Sequence, residues 1–177
     1  IPFTGTREPG GTPLGEKLRD LILHESGQMQ HETELLLMAA SRVEHVAQII
    51  EPALDAGNWV LCDRFLDASV AYQGAGRQLG TTRVSELHDL MGVTLKPDLT
   101  LLLGMPVQEG LRRMAARGKP DRIERETPGF FERARAAYLQ CAADEPERIK
   151  VIDASRPIAQ VKASVLAELK PLMSAYD

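Results

Sequence analysis

Four short apolar runs, at residues 1–6, 59–63, 98–103 and 148–153, are separated by stretches of helical period. No two of them lie close enough along the chain to form a hairpin. The segments between and after them carry helix openers (Thr12-Pro13, Pro106, Pro128, Pro157) and helix stops (Gly57, Gly92, Gly118). Strands joined only through helices must pair in parallel, so the expected class is α/β, a parallel sheet flanked by helices with right-handed crossovers. The Leu-Thr-Leu-Leu-Leu run at 99–103 is expected to be buried on both faces. A long helix is expected over 32–56, with Leu35, Met38, Ala39, Val43, Val46, Ile49, Ile50 and Leu54 at helical spacing, a kink at Pro52 and a stop at Gly57.

At 177 residues the chain suits a single domain spanning 1–177. A formal charge of −4 leaves no basic footprint for nucleic acid. No apolar run approaches the roughly 18 residues of a membrane span, and no signal peptide is present, so neither a membrane nor an export partner is expected. Cys62 and Cys141 lie far apart and read as reduced thiols of a cytoplasmic protein. The chain opens Ile-Pro-Phe rather than with Met.

Polar residues follow the strands directly: Arg7-Glu8, Asp63-Arg64 and Asp153. In open parallel sheets ligands bind beyond the carboxyl ends of the strands. Asp63-Arg64 there suits a metal-bound oxyanion such as phosphate, or else a strand-end salt bridge. In Thr6-Arg7-Glu8-Pro9-Gly10-Gly11-Thr12 the glycines either let backbone approach a ligand or merely supply positive φ. Arg42 lies one turn after Met38, as a rim residue or as a donor inside a cleft. Ser69, Tyr72 and Gln73 would share one helix face, which either reads a polar uncharged ring or is solvated. The basic, glycine-hinged run at 112–124 suits a lid over phosphates or a plain charged loop. His24, His31, His45 and His88 are expected at the surface, and no Ser/His/Asp set is evident.

Taken together, T-R-E-P-G-G-T at 6–12, A-A-S-R at 39–42, V-L-C-D-R-F at 60–65, A-Y-Q-G at 71–74, K-P-D-L-T at 96–100, A-R-G-K-P-D-R-I-E at 116–124 and I-D-A at 152–154 closely resemble bacterial thymidylate kinase. Their order and spacing match along the whole chain. The resemblance implies the three-layer fold of P-loop nucleoside monophosphate kinases. It implies transfer of the γ-phosphoryl group of ATP to dTMP, with Mg²⁺, by a homodimer paired through the long helix. It implies that Arg42 and Gln73 contact the thymine edge with Ser69 nearby, that Met38 stands at the stacking position, and that Tyr72 packs on the deoxyribose. Glu8, Pro9, Arg19 and Arg64 would line the acceptor nucleotide and its phosphate. Asp63 would approach Mg²⁺ through water. Arg64 and the lid residues Arg117 and Arg122 would serve the transferring phosphates, the lid covering about 117–127. The adenine would lie towards Asp153-Ala154.

The chain departs from the family pattern in places. No G-x-x-x-x-G-K-[ST] occurs in it. The family's first βα unit, about 30 residues, carries that phosphate loop, and its strand sits centrally in the sheet. The expectation is therefore a fold whose first βα unit is missing, exposed sheet edges, and no kinase activity from these 177 residues alone. A non-catalytic dTMP-binding remnant, or a kinase for another nucleoside monophosphate, are the alternatives. Met38 replaces an aromatic frequent in relatives, and Ala75 and Gln78, near Arg77, replace glycines.

Overall fold

The computed structural model describes residues 1–25 and 27–174. The four strands, β1 (Phe3–Arg7), β2 (Trp59–Asp63), β3 (Thr100–Gly104) and β4 (Ile149–Asp153), each end at a charged residue or a glycine. β1 starts two residues later than expected. Pro2 has no N–H to give, though its carbonyl accepts from the Trp59 amide at 3.0 Å. Phe3 pairs with Trp59 and, at the other end, Arg7 with Asp63. β3 and β4 pair likewise, from Thr100 with Ile149 to Gly104 with Asp153. Both pairs are parallel, as the alternation of elements requires.

Instead of one sheet, the strands form two separate ladders, β1–β2 and β3–β4. With no ladder between β2 and β3, strand residues that a continuous three-layer core would cover stay accessible: Phe3, Leu61, Leu103 and Val151 are exposed. The leucine run of β3 is therefore half-buried rather than enclosed on both faces. Helix α8 (Ile158–Ser174) packs on β4 without a single fully buried side chain. Among the described residues, no helix is long and apolar enough to cross a membrane.

Helices α1 (Pro13–His24) and α2 (His31–His45) pack against each other. Thr12 caps α1, its hydroxyl accepting from the Gly15 amide at 2.9 Å, with proline in the first turn. The long helix runs on from α2 through a π-helical turn (Val46–Ile50) into α3 (Glu51–Asp55). Pro52 gives no hydrogen to the carbonyl one turn back, and the wider turn just before it absorbs the mismatch without ending the helix. Gly57, at φ +76°, terminates it. Val46 and Ile50 then meet Phe65 and Val93 in one buried cluster, which fixes the long helix to the end of β2. A second cluster joins Ile22, Leu23 and Met38, with Ile123 from the expected lid packed on it. Each such buried aliphatic side chain contributes about 1.5–3 kcal/mol.

After β2 the chain forms α4 (Leu66–Ser69) and a second π-helical segment (Val70–Gly76). That segment lies so close to α7 (Pro128–Asp144) that a Cβ on Gly76 would fall 2.6 Å from the Phe130 ring. Arg133 closes its end, Nη2 donating to the Gly76 carbonyl at 2.7 Å. Helices α5 (Thr81–Leu90) and α6 (Val107–Ala115) complete the fold.

Asp67 ties the two ladders together. Arg148, just before β4, donates from both terminal nitrogens to its two carboxylate oxygens at 2.8 Å, and Thr100 at the start of β3 donates to it at 3.2 Å. Asp67→Asn is expected to lower stability by about 2 kcal/mol, the scale of hydrogen bonds to a charged group. The check is the urea midpoint, and an unchanged midpoint would contradict this linking role.

Candidate active site

The buried centre of the site is Glu8, which follows β1. It is 1% exposed, and Arg42 beside it is 0% exposed. Arg42 Nε donates to Glu8 Oε2 at 2.7 Å. His45 Nδ1 lies 2.9 Å from Glu8 Oε1, and its Nε2 lies 2.7 Å from the Thr6 hydroxyl. Removing one partner from a buried pair of this kind costs about 3–5 kcal/mol, because the other charge is stranded. Arg42 is thus no rim residue. Its Nη1 donates to Ser69 Oγ at 3.0 Å and meets His88 Nε2, and its guanidinium lies over the Phe65 ring. Its Nη2 has no partner.

His45 and His88 are both completely buried, which corrects the expectation that all four histidines lie at the surface; His24 and His31 do. Flanking polarity misled here, because both rings lie on the inner faces of their helices, where Glu8 and Arg42 need partners. His88 Nδ1 lies 2.7 Å from the Val84 carbonyl, which can only accept. The proton therefore sits on Nδ1, and Nε2 accepts from Arg42.

A second buried acid, Glu34, stands one turn before Met38 and two before Arg42. It accepts from Gln73 Nε2 at 2.7 Å, from Arg77 Nε at 3.1 and 3.2 Å, and from Arg122 Nη2 at 2.7 Å. Two stripes therefore face each other: Glu34, Met38 and Arg42 on α2, and Ser69, Gln73 and Arg77 on the α4–π segment. Hydrogen bonds close both ends of this slot, Arg42–Ser69 at one and Glu34–Arg77 at the other. Met38 and Gln73 occupy the middle, and Gln73 Oε1 is buried without a partner. Tyr72 packs beside the slot on Phe130 and Tyr138, and burial pushes its phenol pKa up.

Beyond the strand ends three arginines converge. Arg64 Nε donates to the Glu8 carbonyl at 3.0 Å, and Arg19 Nη1 to the Pro9 carbonyl at 3.0 Å. Arg7 pairs with Glu16 at 2.9 Å. Burial, then the Arg64 and Arg7 charges, lower the Arg19 pKa, the mark of a locally cationic mouth. Arg64 holds φ +70°, a conformation rare outside glycine. Asp63 lies 3.3 Å from Arg64 and is largely exposed. The strand-end salt-bridge reading of this pair is thus what the structure shows. Burial lifts the Cys62 thiol to about 12, leaving it inert.

The glycine pair does not present backbone to a ligand. Gly10 N donates to Ser41 Oγ at 3.1 Å, and Gly11 N to Glu16 Oε1 at 2.9 Å. Gly11, at φ +84°, is needed because a Cβ there would lie 2.7 Å from the His45 ring. The segment expected to form a lid is docked: Ile123 packs against the second core cluster, and Arg122 Nε donates to the Ile22 carbonyl at 2.6 Å. Arg117 is exposed and pairs with Glu124 at 2.9 Å. Asp153 bonds Ser155 and Arg156, and Arg113 holds the Ala154 carbonyl at 2.9 Å, at the end of the other ladder. Among the described residues no group of three or more His, Cys, Asp or Glu side chains is placed to hold a metal.

Of the residues expected from sequence, the structure joins Glu8, Arg42 and Ser69 directly and seats Met38, Gln73 and Tyr72 along the same slot. Pro9, Arg19, Arg64 and Asp63 form the mouth. Arg117, Asp153 and Ala154 make no hydrogen bond to either. Glu34, Arg77, His45 and His88 were missed. Helical period held the signal for two of them: Glu34 is eight residues before Arg42, and His45 three after.

Parallel strand pairs flanked by helices, with arginines grouped beyond the strand ends, place the chain in the α/β class to which nucleoside monophosphate kinases belong. The thymidylate kinase family model matches residues 2–165. Thymidylate kinase of Bordetella petrii is 54% identical over 94% of this chain and 80% of its own length. That of Methylococcus capsulatus is 49% identical over 99% of this chain and 84% of its own. The crystal structure of thymidylate kinase from Ehrlichia chaffeensis superposes with a TM-score of 0.74 at 31% identity, covering 95% of this chain and 80% of that one. The chain belongs to the thymidylate kinase family.

The neutral state of His88 has a consequence for stability. Burial first, then the adjacent Arg42 cation, lower its pKa from the usual value of about 6.5. Above that value neither folded nor unfolded chain holds the proton. As pH falls through about 6.5 the unfolded chain binds it and the folded chain does not, so stability is expected to drop. Urea midpoints at pH 7.5 and 5.5 should show this fall, and His88→Gln, which keeps an acceptor for Arg42, should reduce it. An identical pH slope in the variant would refute the assignment.

Proposed function

We propose that the slot binds the base of dTMP and serves transfer of the γ-phosphoryl group of ATP to the dTMP phosphate, giving dTDP and ADP. One observation carries this reading. Arg42 Nη2, a donor, and Gln73 Oε1, an acceptor, are both buried and unpartnered, on facing helix stripes. Each bond left unmade costs about 1–3 kcal/mol. A thymine edge carries an acceptor, the C4 carbonyl, beside a donor, N3–H, and so complements both atoms at once. Cytosine presents the opposite pattern at both positions. Met38 offers a polarisable thioether to the ring face, and Tyr72 stands beside the slot where a sugar would follow.

The acceptor phosphate then falls to Arg64 and Arg19 at the strand-end mouth, where the guanidinium forks suit its oxygens. Phosphoryl transfer asks mainly for positioning and charge neutralisation, which these arginines supply. Asp63 is a single accessible carboxylate, which suits Mg²⁺ held through water with phosphate oxygens as its other ligands. When bound, Mg²⁺ would neutralise charge developing on the phosphates. Arg117 and Arg122 would reach the transferring phosphates by leaving Glu124 and Glu34. The adenine would lie towards Asp153-Ala154.

The acceptor half of this chemistry resides in these 177 residues; the donor half needs backbone amides for the ATP phosphates. The sequence holds no G-x-x-x-x-G-K-[ST], and the Gly10 and Gly11 amides are taken by Ser41 and Glu16. A polypeptide of these residues alone is therefore expected to bind dTMP and to show no turnover. Calorimetry should give dTMP binding that Gln73→Met weakens about tenfold or more. No heat with dTMP, or an unaffected variant, would sink the base reading. In a coupled assay, ATP consumption above a few per cent of a full-length relative would sink the expectation of inactivity.

The outer face of the long helix supports a homodimer. Leu36, Val43 and Leu54 are exposed, with exposed Ala40 and Ala47 between them, forming an apolar stripe. Light scattering is expected to give twice the monomer mass, and Val43→Asp to give the monomer. A monomeric wild-type chain would contradict this.

A further inference from the structure

Gln73 can read a base only if its amide faces the right way. A primary amide has a donor end and an acceptor end of nearly equal shape, so something outside the side chain must orient it. Gln73 Nε2 lies 2.7 Å from Glu34 Oε1. Glu34 is 0% exposed. Burial alone would push its carboxyl up, but hydrogen bonds from Arg77, Gln73 and Arg122, with the Arg77 charge, outweigh that and hold it below the usual carboxylate range. It is therefore an anion, with acceptors only. Against such a neighbour the amide has one orientation: Nε2 towards Glu34, Oε1 away from it. The reversed amide would set two acceptors against each other in a buried site.

We propose that Glu34 is a positioning residue that makes Gln73 an acceptor towards the bound base, and so sets preference for thymine over cytosine. This deepens, and rests on, the dTMP reading of the slot. Arg42 is constrained in the same way: Glu8 takes its Nε, Ser69 and His88 take Nη1, and only Nη2 is left for the ligand. Two buried acids, Glu8 after β1 and Glu34 on α2, thus dictate the hydrogen-bond polarity of both base-reading groups. In Glu34→Gln the new amide can donate or accept. Both orientations of Gln73 then become available, and one of them presents N–H to the ring, matching the N3 lone pair of cytosine.

Glu34 also pairs with Arg77 and Arg122, so any substitution will lower stability and affinity together. The discriminating quantity is accordingly a ratio. Dissociation constants for dTMP and dCMP are measured by calorimetry and displacement on the wild-type chain and on Glu34→Gln. The wild type is expected to prefer dTMP, and the variant to narrow that preference at least tenfold. Equal weakening of both nucleotides would overturn the proposal and leave Glu34 a purely structural acid. A wild-type chain that binds no dTMP would instead overturn the function assigned to the slot, a distinguishable failure. Should Glu34→Gln not fold, NMR of the wild type decides. The Gln73 side-chain NH₂ protons, assigned by difference with Gln73→Met, should stay protected from exchange before and after dTMP addition. Loss of that protection on binding would show that the amide turns away from Glu34, against the proposal.

Discussion

The buried Glu8–Arg42 pair is the constraint around which the site is built. It joins the end of β1 to the last turn of α2, through a charge pair 34 positions apart in sequence and withdrawn from water. Neither charge survives burial alone, so each recruits further partners: His45 and Thr6 on the acid side, Ser69 and His88 on the guanidinium side. This network leaves little for any other element to choose. It sets how α2 lies on β1 and where the segment after β2 must pass, and it leaves one guanidinium nitrogen buried without a partner.

Glu34 repeats the arrangement two turns earlier on the same helix, with Arg77, Arg122 and Gln73 as its partners. Arg122 comes from the charged segment after α6, so one carboxylate holds both Gln73 and a residue 88 positions further along the chain. Charged hydrogen bonds tie the facing stripes at both ends, with Met38 between them, so the polarity of the slot is rigid.

Much of this was legible in the sequence. The alternation of apolar runs and helix signals specified parallel pairing. Thr12-Pro13, Pro52 and Gly57 marked the helix start, disturbance and stop that the structure shows. Arg42, Ser69 and Gln73 emerged from spacing and from family resemblance, and they line one slot. What stayed hidden were the acids and histidines that orient them. Polar neighbours along the chain made His45 and His88 read as surface residues, whereas burial is decided by what lies across the fold. The glycine pair shows the converse. Its pattern suited a ligand cradle, but its amides are used within the protein, and the close approach of the His45 ring explains the missing Cβ at Gly11.

The sequence by itself determined which segments are strands and helices, and placed arginines and acids at strand ends, because period, caps and breakers act over a few residues. Tertiary structure alone decided that the strands pair as two ladders, that Glu8 and Glu34 are buried beside arginines, and that Gln73 gives its amide N–H to Glu34 and leaves its carbonyl unpartnered. Those outcomes depend on contacts between residues 34 to 88 positions apart, and on the cost of leaving a buried charge or amide without a partner.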